Sequence, residues 1–552
     1  MTAAIYFIPE AYTTSGPKLM GRNAAGESFL RGFLQYSTAS EFWVQVADPE
    51  YAKAFVESVH TAGRTEPVRA VDNKSLSALF QPGVVYFPGP NIGEFAWQRA
   101  AYGHGSWSLC GITHTTSSAR AMDVLTELLT APVQSWDAVI CTSTAVKDNL
   151  HVLLQAQVDY LEQRLGVQKL VLPQMPIIPL GIHTRDFAFT DDQKAAARSA
   201  IGADEHTVVV LYMGRLSPHA KAHPLAMYQA LETATRTITK GQRVLLVECG
   251  WHDNEFLQNA YAEAARFACP SVRVITLDGR KVDNRQIAWA GADIFCSLPD
   301  NIQETFGITP IEAMAAGLPL VVSDWDGYKD SVRDGVDGFR VPTLIPAAGL
   351  GTDLALRHAL EIDNYDIYCG HTCSLVAVDV DATEQAFSRL FASPALRWQM
   401  GAAGRQRARE IYDWSIIIPR YETLWEKLAE IRTAQAGTLP TLGHPWPARM
   451  DPFATFAGYA THSLTPQTVL APVYTDRNTA MKRVSDFLLL SIVNFARLVV
   501  PTEAELQVVL SSAAGGPKPA TDLIRDISAE RQPFVFRSLA WLVKLNILKV
   551  CS

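Results

Sequence analysis

The stretch DIFCSLPDNIQETFGITPIEAMAAGLPLVVSD, residues 293–324, contains a complete strand–loop–helix–strand unit. Its two ends, 293–299 and 318–324, are short continuous apolar runs, which are typical of strands buried on both faces of a parallel sheet. Between them, Pro310 suits the first turn of a helix that ends at Gly-Leu-Pro. The loop before this helix lies at the carboxyl end of a strand, where doubly wound sheets bind their ligands.

The same alternation of short apolar runs and helical periods extends over most of the chain in two successive series. The first series has strand-like runs at 4–9, 42–47, 84–89, 108–114 and 138–143, and it closes with LGIHTRDF at 180–187. The second series has strand-like runs at 208–214, 243–250, 272–279, 293–299 and 318–324. Two such series predict an α/β fold with two Rossmann-like doubly wound domains that face each other across a cleft.

Breaks in this alternation predict the domain boundaries. The predicted parts are an N-terminal domain at 1–185, a C-terminal domain at 186–432 with its last helix at 411–431, a linker at 433–452 and an extension at 453–552. The linker is rich in Pro and Gly and has no period. The extension is predicted to be small and mostly helical, because apolar residues at 537–550 have helical spacing before a strand-like end. A winged-helix-like module and docking on a partner, a second subunit or a membrane surface all remain open for it.

The composition is that of an ordinary folded protein without an overall basic charge. The 552 residues are 48% hydrophobic and 19% charged, and the net charge of -8 argues against a nucleic-acid binder. The eight cysteines are scattered, which indicates reduced, buried thiols in a cytoplasmic protein. No pattern typical of a secretory signal follows Met1. The longest apolar stretch, at 487–493, is far shorter than the ~20 residues of a membrane span.

The turn inside the opening stretch carries the chemistry. Gly307 permits close approach of the backbone to a ligand, and the N–H groups of Ile308 and Thr309 are predicted to form an anion site at the helix start. Glu304 lies on the loop, and Glu312 is predicted in the first turn of the helix. Both carboxylates can then face one small polar ligand, with phosphate on the amides and hydroxyls on the carboxylates.

The pattern E-x7-E with an internal Phe-Gly, followed by EAMAxGxP, resembles the donor-sugar-nucleotide site of glycosyltransferase family 4, which has the GT-B fold. The resemblance covers residues 1–432 in family order. Its other segments are the strand-loop MGRLSPHAK at 213–221, DWDGYKDSVRDGVDGFRVPT at 324–343, the inter-domain hinge IPLGIHTRDF at 178–187 and the closing helix YDWSIIIPRYETLWEKL at 412–428. It implies an acceptor-side first domain and a nucleotide-sugar second domain.

The resemblance assigns roles to the two glutamates and to the turn between them. It implies that Glu312 binds the ribose hydroxyls and that Glu304 lies near the transferred hexose. The other implied donor-binding positions belong to the turn: Thr305, Phe306, Gly307, Ile308 and Thr309. For Glu312 alone, a carboxylate that complements the helix dipole is the alternative.

Two cations follow the first strand of the second series. The resemblance implies that Arg215 and Lys221 neutralise the leaving diphosphate, where charged hydrogen bonds are strong. The family usually has Lys-Gly here, whereas Ala222 and His223 follow Lys221 in this chain. A solvated surface pair is the alternative.

Two positions of the first domain complete the implied site. Gly21 opens GRNAAGESFLRGF (21–33), where small residues are expected ahead of a helix and close to the donor phosphate; the family often has Gly-Gly, and this chain has Gly21-Arg22. His114 ends a strand run and resembles the family histidine near the hexose on the acceptor side. A buried structural histidine is the alternative for His114.

Together these positions imply a retaining glycosyltransferase that moves a hexosyl unit from a nucleotide-diphosphate sugar to an unidentified acceptor (a glycan, lipid, small molecule or protein). No cofactor and no metal are expected, because two cations already perform the electrostatic task of a metal. The D-x-D sequences at 324–326 and 379–381, and the group Cys369, His371 and Cys373, are therefore predicted not to bind metal.

Three other classes of protein remain as alternatives. A phosphorylase-type GT-B enzyme needs a lysine-bound pyridoxal phosphate. A nicotinamide oxidoreductase needs G-x-G-x-x-G after a strand, and GRNAAG at 21–26 lacks the second glycine. A non-catalytic scaffold would bind a partner through the extension, but it would have no need of Glu304, Glu312, Arg215 and Lys221.

Overall fold

The computed structural model describes residues 2–14, 21–439 and 446–551. It divides into two compact units, unit 1 at 1–446 and unit 2 at 447–552. Residues 440–445 of the predicted linker lie outside the described residues. The predicted boundary between residues 185 and 186 falls within a 3₁₀ turn, Thr184–Phe187.

The first sheet of unit 1 has six parallel strands in the order β3-β2-β1-β4-β5-β6. They are β1 (Ala4–Tyr6), β2 (Phe42–Gln45), β3 (Val68–Val71), β4 (Val84–Tyr86), β5 (Ser108–Ile112) and β6 (Ala138–Ile140). Alternate side chains enter two different apolar clusters: Ile5 and Val44 one, Ala4 and Trp43 the other. Both faces are therefore covered, as the continuous apolar runs predict.

The second sheet of unit 1 repeats this arrangement. Its order is β12-β11-β10-β7-β8-β9, all parallel. The strands are β7 (Thr207–Met213), β8 (Arg243–Gly250), β9 (Arg273–Asp278), β10 (Ile294–Ser297), β11 (Leu320–Ser323) and β12 (Gly338–Val341). Both sheets have the strand order of a classic dinucleotide-type fold, so two Rossmann-like domains are confirmed.

Sequence periodicity missed two of the twelve strands in these two sheets, and the segment that closes the first predicted series is not a strand. β3 and β12 are edge strands that carry Arg69 and Arg340, so neither is a continuous apolar run. LGIHTRDF at 180–187 forms only an isolated bridge, Ile182 with Asp413, followed by a 3₁₀ turn. This segment connects the two domains and has no neighbouring strand to extend the bridge into a ladder.

Helices pack on both sheets. Those of the first domain are α1 (Gly21–Tyr36), α2 (Pro49–Thr61), α3 (Gly93–Ala100), α4 (Ala119–Thr126) and α5 (Thr144–Leu165). Those that follow are α6 (Asp191–Ala200), α7 (Leu225–Thr235), α8 (Glu255–Ala268), α9 (Val282–Gly291), α10 (Ile308–Ala316), α11 (Tyr328–Ser331), α12 (Thr352–Ala359), α13 (Tyr365–Cys373), α14 (Val380–Ala392), α15 (Pro394–Arg407) and α16 (Trp414–Gln435). A short antiparallel pair, β13 (Thr343–Leu344) with β14 (Ala377–Val378), closes the segment that contains α12 and α13.

The last helix of unit 1, α16, returns to the first domain, as the resemblance implies. Tyr421 and Trp425 are fully buried, and their rings contact those of Phe29, Phe33 and Tyr86. The returning helix therefore completes the core of the domain in which the chain begins.

Trp414, the first residue of α16, lies at the crossing between the two domains. Its indole is fully buried, and Nε1 donates to Ser28 Oγ at 2.8 Å. The ring packs directly on the backbone of Gly32 and Gly181, where a Cβ would lie 2.5 and 2.6 Å from indole carbons. Next to it, Thr184 Oγ1 donates to Asp413 Oδ2 at 2.6 Å. These contacts set where the chain crosses from one sheet to the other.

Unit 2 combines helices with a small antiparallel sheet in the order β16-β15-β17. Its elements are α17 (Pro452–Thr455), β15 (Val469–Pro472), α18 (Arg477–Leu488), α19 (Ser491–Asn494), α20 (Glu503–Ala513), β16 (Lys518–Pro519), α21 (Ala520–Leu523), α22 (Gln532–Lys544) and β17 (Leu548–Val550). The helix and strand predicted within 537–550 are confirmed. Its own core contains Leu470, Val484, Leu510 and Leu539, so unit 2 folds around a separate apolar cluster.

Two chain-wide expectations concern cysteines and membrane spans. All eight cysteines are free thiols, and all except Cys551 are buried. In the described ranges, no helix combines the length and the apolar character that crossing a membrane requires.

Gly32→Ala tests the packing of Trp414. Alanine normally stabilises a helix interior by about 1 kcal/mol relative to glycine. Here the added methyl would overlap a buried indole that cannot move aside, so we expect a net loss of about 1–3 kcal/mol. Thermal unfolding of the full chain measures it. Gly21→Ala, at the start of the same helix, is the matched control, because no atom of the described residues lies within 4 Å of the new Cβ. Equal unfolding temperatures for both variants would contradict this packing.

Candidate active site between the two sheets

Loops from both sheets of unit 1 meet at the carboxyl ends of their strands. Thr305 Oγ1 donates to the carbonyl of His114 at 2.7 Å, and Ser143 Oγ donates to the carbonyl of Thr305 at 2.7 Å. Thr144 N, at the start of α5, donates to Asp330 Oδ2 at 2.6 Å. The structure therefore brings the first-domain loop at His114 and the second-domain loop at Thr305 together in one cleft.

Lys221 and Glu304 form an ion pair in this cleft. Lys221 Nζ lies 3.1 Å from Glu304 Oε2, and the glutamate side chain is only 12% exposed. Burial raises the pKa of Glu304, but the Lys221 charge and hydrogen bonds from the amides of Thr305 and Phe306 outweigh it, so the pKa falls below its ordinary value. Glu304 is thus held ionised although it is nearly buried.

The loop that carries Glu304 is fixed by Asn301. Its Oδ1 accepts hydrogen bonds from the amides of Gln303 at 2.9 Å and Glu304 at 3.2 Å. Its Nδ2 donates to the carbonyl of Lys221, so the same side chain ties the loop to the cation. Asn301 is fully buried, which suits a positioning role for both members of the ion pair.

Arg215 contacts the neighbouring residue of the same loop. Its Nη2 donates to Gln303 Oε1 at 3.4 Å, and its carbonyl accepts from Tyr212 Oη at 3.0 Å. Across the described residues, no carboxylate pairs with Arg215 within 4.0 Å. Arg215 and Lys221 therefore offer two positive charges at adjoining positions, only one of which is neutralised by the protein.

Helix α10 begins shortly after the loop residues that these cations contact. The helix begins at Ile308 with Gly307 as N-cap, and no side chain caps its first amides. Free amides at a helix start favour an anion. Gly307 has φ +78°, and a Cβ there would lie 1.9 Å from Tyr328 Cε1. Any larger residue at position 307 would clash with the Tyr328 ring. The need for glycine therefore does not depend on a ligand that approaches the backbone.

Glu312 does not lie in the first turn of α10, so that expectation is wrong. The helix begins two residues before Pro310, because the positive φ of Gly307 ends the loop there. Glu312 is consequently in the second turn. The interaction of a carboxylate with the helix dipole is strong only in the first turn, so this alternative for Glu312 is disfavoured. Burial raises the pKa of Glu312 to about 7, opposed by the charge of Arg285 on α9. Glu312 is half-buried and forms no ion pair with any described residue, which makes it a candidate functional group.

His114 follows β5 of the first sheet, and its carbonyl lies in the same cleft. Burial lowers the pKa of its imidazole to about 4; a hydrogen bond with the carbonyl of Pro88 opposes the shift, and the charge of Arg22 adds to it. The ring is therefore neutral at physiological pH. A neutral imidazole can donate or accept one hydrogen bond to a substrate hydroxyl but supplies no charge.

Gly21 is not in a loop, contrary to the expectation for 21–33. Gly21 is the first residue of α1, and the whole segment 21–33 is helical. The small residues serve helix packing instead: a Cβ on Gly26 would lie 2.0 Å from the carbonyl oxygen of Ala11. Residues 15–20, which precede Gly21, lie outside the described residues.

Sequence patterns gave no role to Asp326, which the structure brings to the cleft. Its φ is 45°, and its Oδ1 accepts from Ser143 Oγ at 3.3 Å. Burial and the nearby charge of Glu304 raise its pKa well above the ordinary value. Its Oδ2 is buried and has no hydrogen-bond partner among the described residues. The only signal for it was the D-x-D sequence, considered solely for metal binding.

The candidate metal groups are dispersed. Asp324 approaches Arg340 at 3.4 Å while Asp326 faces Ser143, and Asp379 caps α14 through the amide of Ala382. Cys373 Sγ donates to the carbonyl of Pro218, and His371 pairs with Asp363 at 3.2 Å. Over the described ranges, no three His, Cys, Asp or Glu side chains form a group that could hold a metal ion.

Part of the second domain matches a known family. Residues 193–347 match the family model described as glycosyl transferases group 1. The phosphatidyl-myo-inositol mannosyltransferase of Mycobacterium leprae is 32% identical over 142 residues, which are 26% of this chain and 28% of that protein. The D-inositol 3-phosphate glycosyltransferase of Kribbella flavida is 30% identical over 157 residues, 28% of this chain and 36% of that protein. The match thus spans only about a third of the length of each of these two relatives.

The crystal structure of Anabaena Alr3699/HepE in complex with UDP aligns over 78% of this chain and 100% of that chain. The TM-score is 0.47 and the sequence identity is 15%.

Glu312→Gln tests the burial of this carboxyl through pH. Because the folded pKa of about 7 exceeds the ordinary 4.5, its contribution to stability is full below pH 4.5 and is lost as pH rises through 7. We expect the variant to be more stable than wild type at pH 8 by about 1–2 kcal/mol, after allowance for partial exposure, and nearly equal at pH 5. Denaturation at both pH values measures this, with the exposed Glu57→Gln as control. A pH-independent difference would contradict it.

Proposed function

We propose that this chain, whose residues 193–347 match the family model of glycosyl transferases group 1, is a metal-independent retaining glycosyltransferase that transfers a hexosyl unit from a nucleoside-diphosphate sugar. One observation carries the proposal: the Lys221–Glu304 ion pair, Arg215 and the uncapped start of α10 converge on one loop at the carboxyl end of β10. The names of the curated relatives, a mannosyltransferase and a glycosyltransferase, support a hexosyl donor.

The donor diphosphate would bind at the start of α10. Amides at Ile308 and Thr309, together with Arg215 and Lys221, offer positive charge from two directions. Such preorganised charge stabilises the diphosphate most when it leaves, because its negative charge is then greatest. Glu312, further along the same helix, would accept hydrogen bonds from the ribose hydroxyls.

Glu304 would act at the hexose. Its ionised carboxylate, held by Lys221 and the amides beside it, faces the centre where positive charge develops as the glycosidic bond breaks. The acceptor hydroxyl would approach on the face from which the diphosphate leaves, and the leaving phosphate would take its proton. This geometry retains the anomeric configuration. His114, neutral and on the first-domain side, would hold a hexose hydroxyl by a hydrogen bond.

A panel of nucleoside-diphosphate sugars tests this function. Each is scored for slow hydrolysis and for a rise in the unfolding temperature of the full chain, with and without excess EDTA. We expect one donor to give both signals, and both to persist in EDTA. A donor that raises the unfolding temperature without turnover under any condition would favour a non-catalytic scaffold. Loss of turnover in EDTA with recovery in Mn²⁺ would contradict metal independence.

Arg215→Ala and Lys221→Ala test whether these two cations stabilise the leaving diphosphate. Each removes a charge that stabilises the leaving group, so we expect turnover to fall by about 100-fold or more, equivalent to about 2–4 kcal/mol. Steady-state kinetics with the identified donor measure the fall, and unfolding curves confirm that the fold persists. Lys74→Ala, an exposed cation of the first domain, is the control. Activity within threefold of wild type in both variants would exclude this role for Arg215 and Lys221.

Glu304→Gln and Glu312→Gln test whether the two carboxylates have different roles, Glu304 at the hexose and Glu312 at the ribose. A ribose contact is alike in ground and transition states, so Glu312→Gln should mainly raise KM. Glu304→Gln should mainly lower kcat, because the negative charge of Glu304 stabilises the positive charge that develops on the hexose in the transition state. Calorimetry of nucleoside diphosphate binding accompanies the kinetics. Equal losses of nucleotide affinity in both variants would show that both carboxylates serve the nucleotide.

A further inference from the structure

A row of large apolar side chains in unit 2 points into solvent. Leu489, Ile492, Phe495 and Leu498 are 83, 79, 83 and 94% exposed. They recur at three-residue spacing through α19 and the short turns on either side of it, so they fall on successive turns of the chain. We call these four residues the apolar row. Single exposed apolar residues are common, whereas four in succession mark an interaction site.

The apolar row belongs to a folded segment. Leu489 N donates to the carbonyl of Asp486, Phe495 N to that of Ser491, and Val499 N to that of Ala496, at 3.3, 3.2 and 2.9 Å. The preceding residues, 487–488, pack against the core of unit 2. Apolar residues just before the row thus pack on the core of unit 2, whereas the side chains of the apolar row itself are exposed to solvent.

Basic residues flank the apolar row. Lys482, Arg483 and Arg497 are exposed, and none of them forms an ion pair with any described residue. The guanidinium of Arg483 stacks on the Phe487 ring, 4.5 Å from its centroid. Unit 2 contains eleven basic and eight acidic residues, although the whole chain has a net charge of -8. Positive charge is thus concentrated in the unit that carries the apolar row.

We infer that the apolar row docks unit 2 on an anionic phospholipid surface. Apolar side chains would enter the boundary between headgroups and acyl chains, while the flanking cations bind lipid phosphates; this is the pattern of interfacial binding segments. A second copy of the chain fits less well, because two equal positive rims would face each other. The docking is peripheral, and it is independent of the proposed transfer reaction.

Vesicle co-sedimentation with the full chain tests the docking. We expect binding to vesicles of phosphatidylcholine and phosphatidylglycerol in equal parts, weak binding to phosphatidylcholine alone, and loss of binding at high salt. The variant L489S/I492S/F495S/L498S should bind at least about tenfold more weakly, since most of the buried apolar area is removed. The variant K482Q/R483Q/R497Q should lose about fivefold per charge on the anionic vesicles.

The controls separate docking from folding and from self-association. All substituted side chains are exposed, so unfolding temperatures should match wild type; Phe267→Ser, an 87% exposed residue of α8 in unit 1, is the matched apolar control and should bind vesicles normally. Equal vesicle binding by wild type and the fourfold serine variant would overturn the inference. So would a wild-type dimer in sedimentation velocity that the same variant converts to monomer, because the row would then be an interface between copies.

Discussion

The contact of Trp414 with two glycines is the constraint on which the arrangement of unit 1 depends. The indole packs against Gly32 of α1 on one side and against Gly181 of the inter-domain crossing on the other. Asp413, immediately before it, binds the hydroxyl of Thr184. Three separate parts of the chain are therefore fixed at one point. Because the site draws His114 from one sheet and Glu304 from the other, its geometry depends on this crossing.

The site gives three neighbouring carboxyls three different environments. Glu304 has a cation and two amides, so it is held ionised in a nearly buried position. Glu312 has only a distant arginine to offset burial, and its pKa rises to about 7. For Asp326, burial and the nearby charge of Glu304 both disfavour ionisation, so its pKa is raised well above the ordinary value. Because their environments shift these pKa values in different directions, one cleft can hold an ionised carboxylate together with carboxyls that favour the protonated form.

The interior strands of both sheets could be predicted from sequence, whereas two of the four edge strands, β3 and β12, could not. Strands such as β7 and β8 lie in the middle of a sheet, so their apolar runs are continuous and recognisable. β3 and β12 carry Arg69 and Arg340 because one side of an edge strand meets solvent. The start of α10 was misplaced because Pro310 is a permissive signal, whereas the deciding feature is the positive φ of Gly307. Asp326 depends on a contact with Ser143, 183 positions away in sequence, which no local pattern contains.

The return of α16 has a consequence for biosynthesis. Phe29, Phe33 and Tyr86 are covered by side chains of a helix that is translated only after the entire second domain. At about 5–20 residues per second, roughly 250 intervening residues take on the order of 10–50 s to synthesise. During that interval the first domain lacks one wall of its core. The nascent chain must therefore keep an aromatic surface shielded, by collapse or by a chaperone, until its own last helix leaves the ribosome.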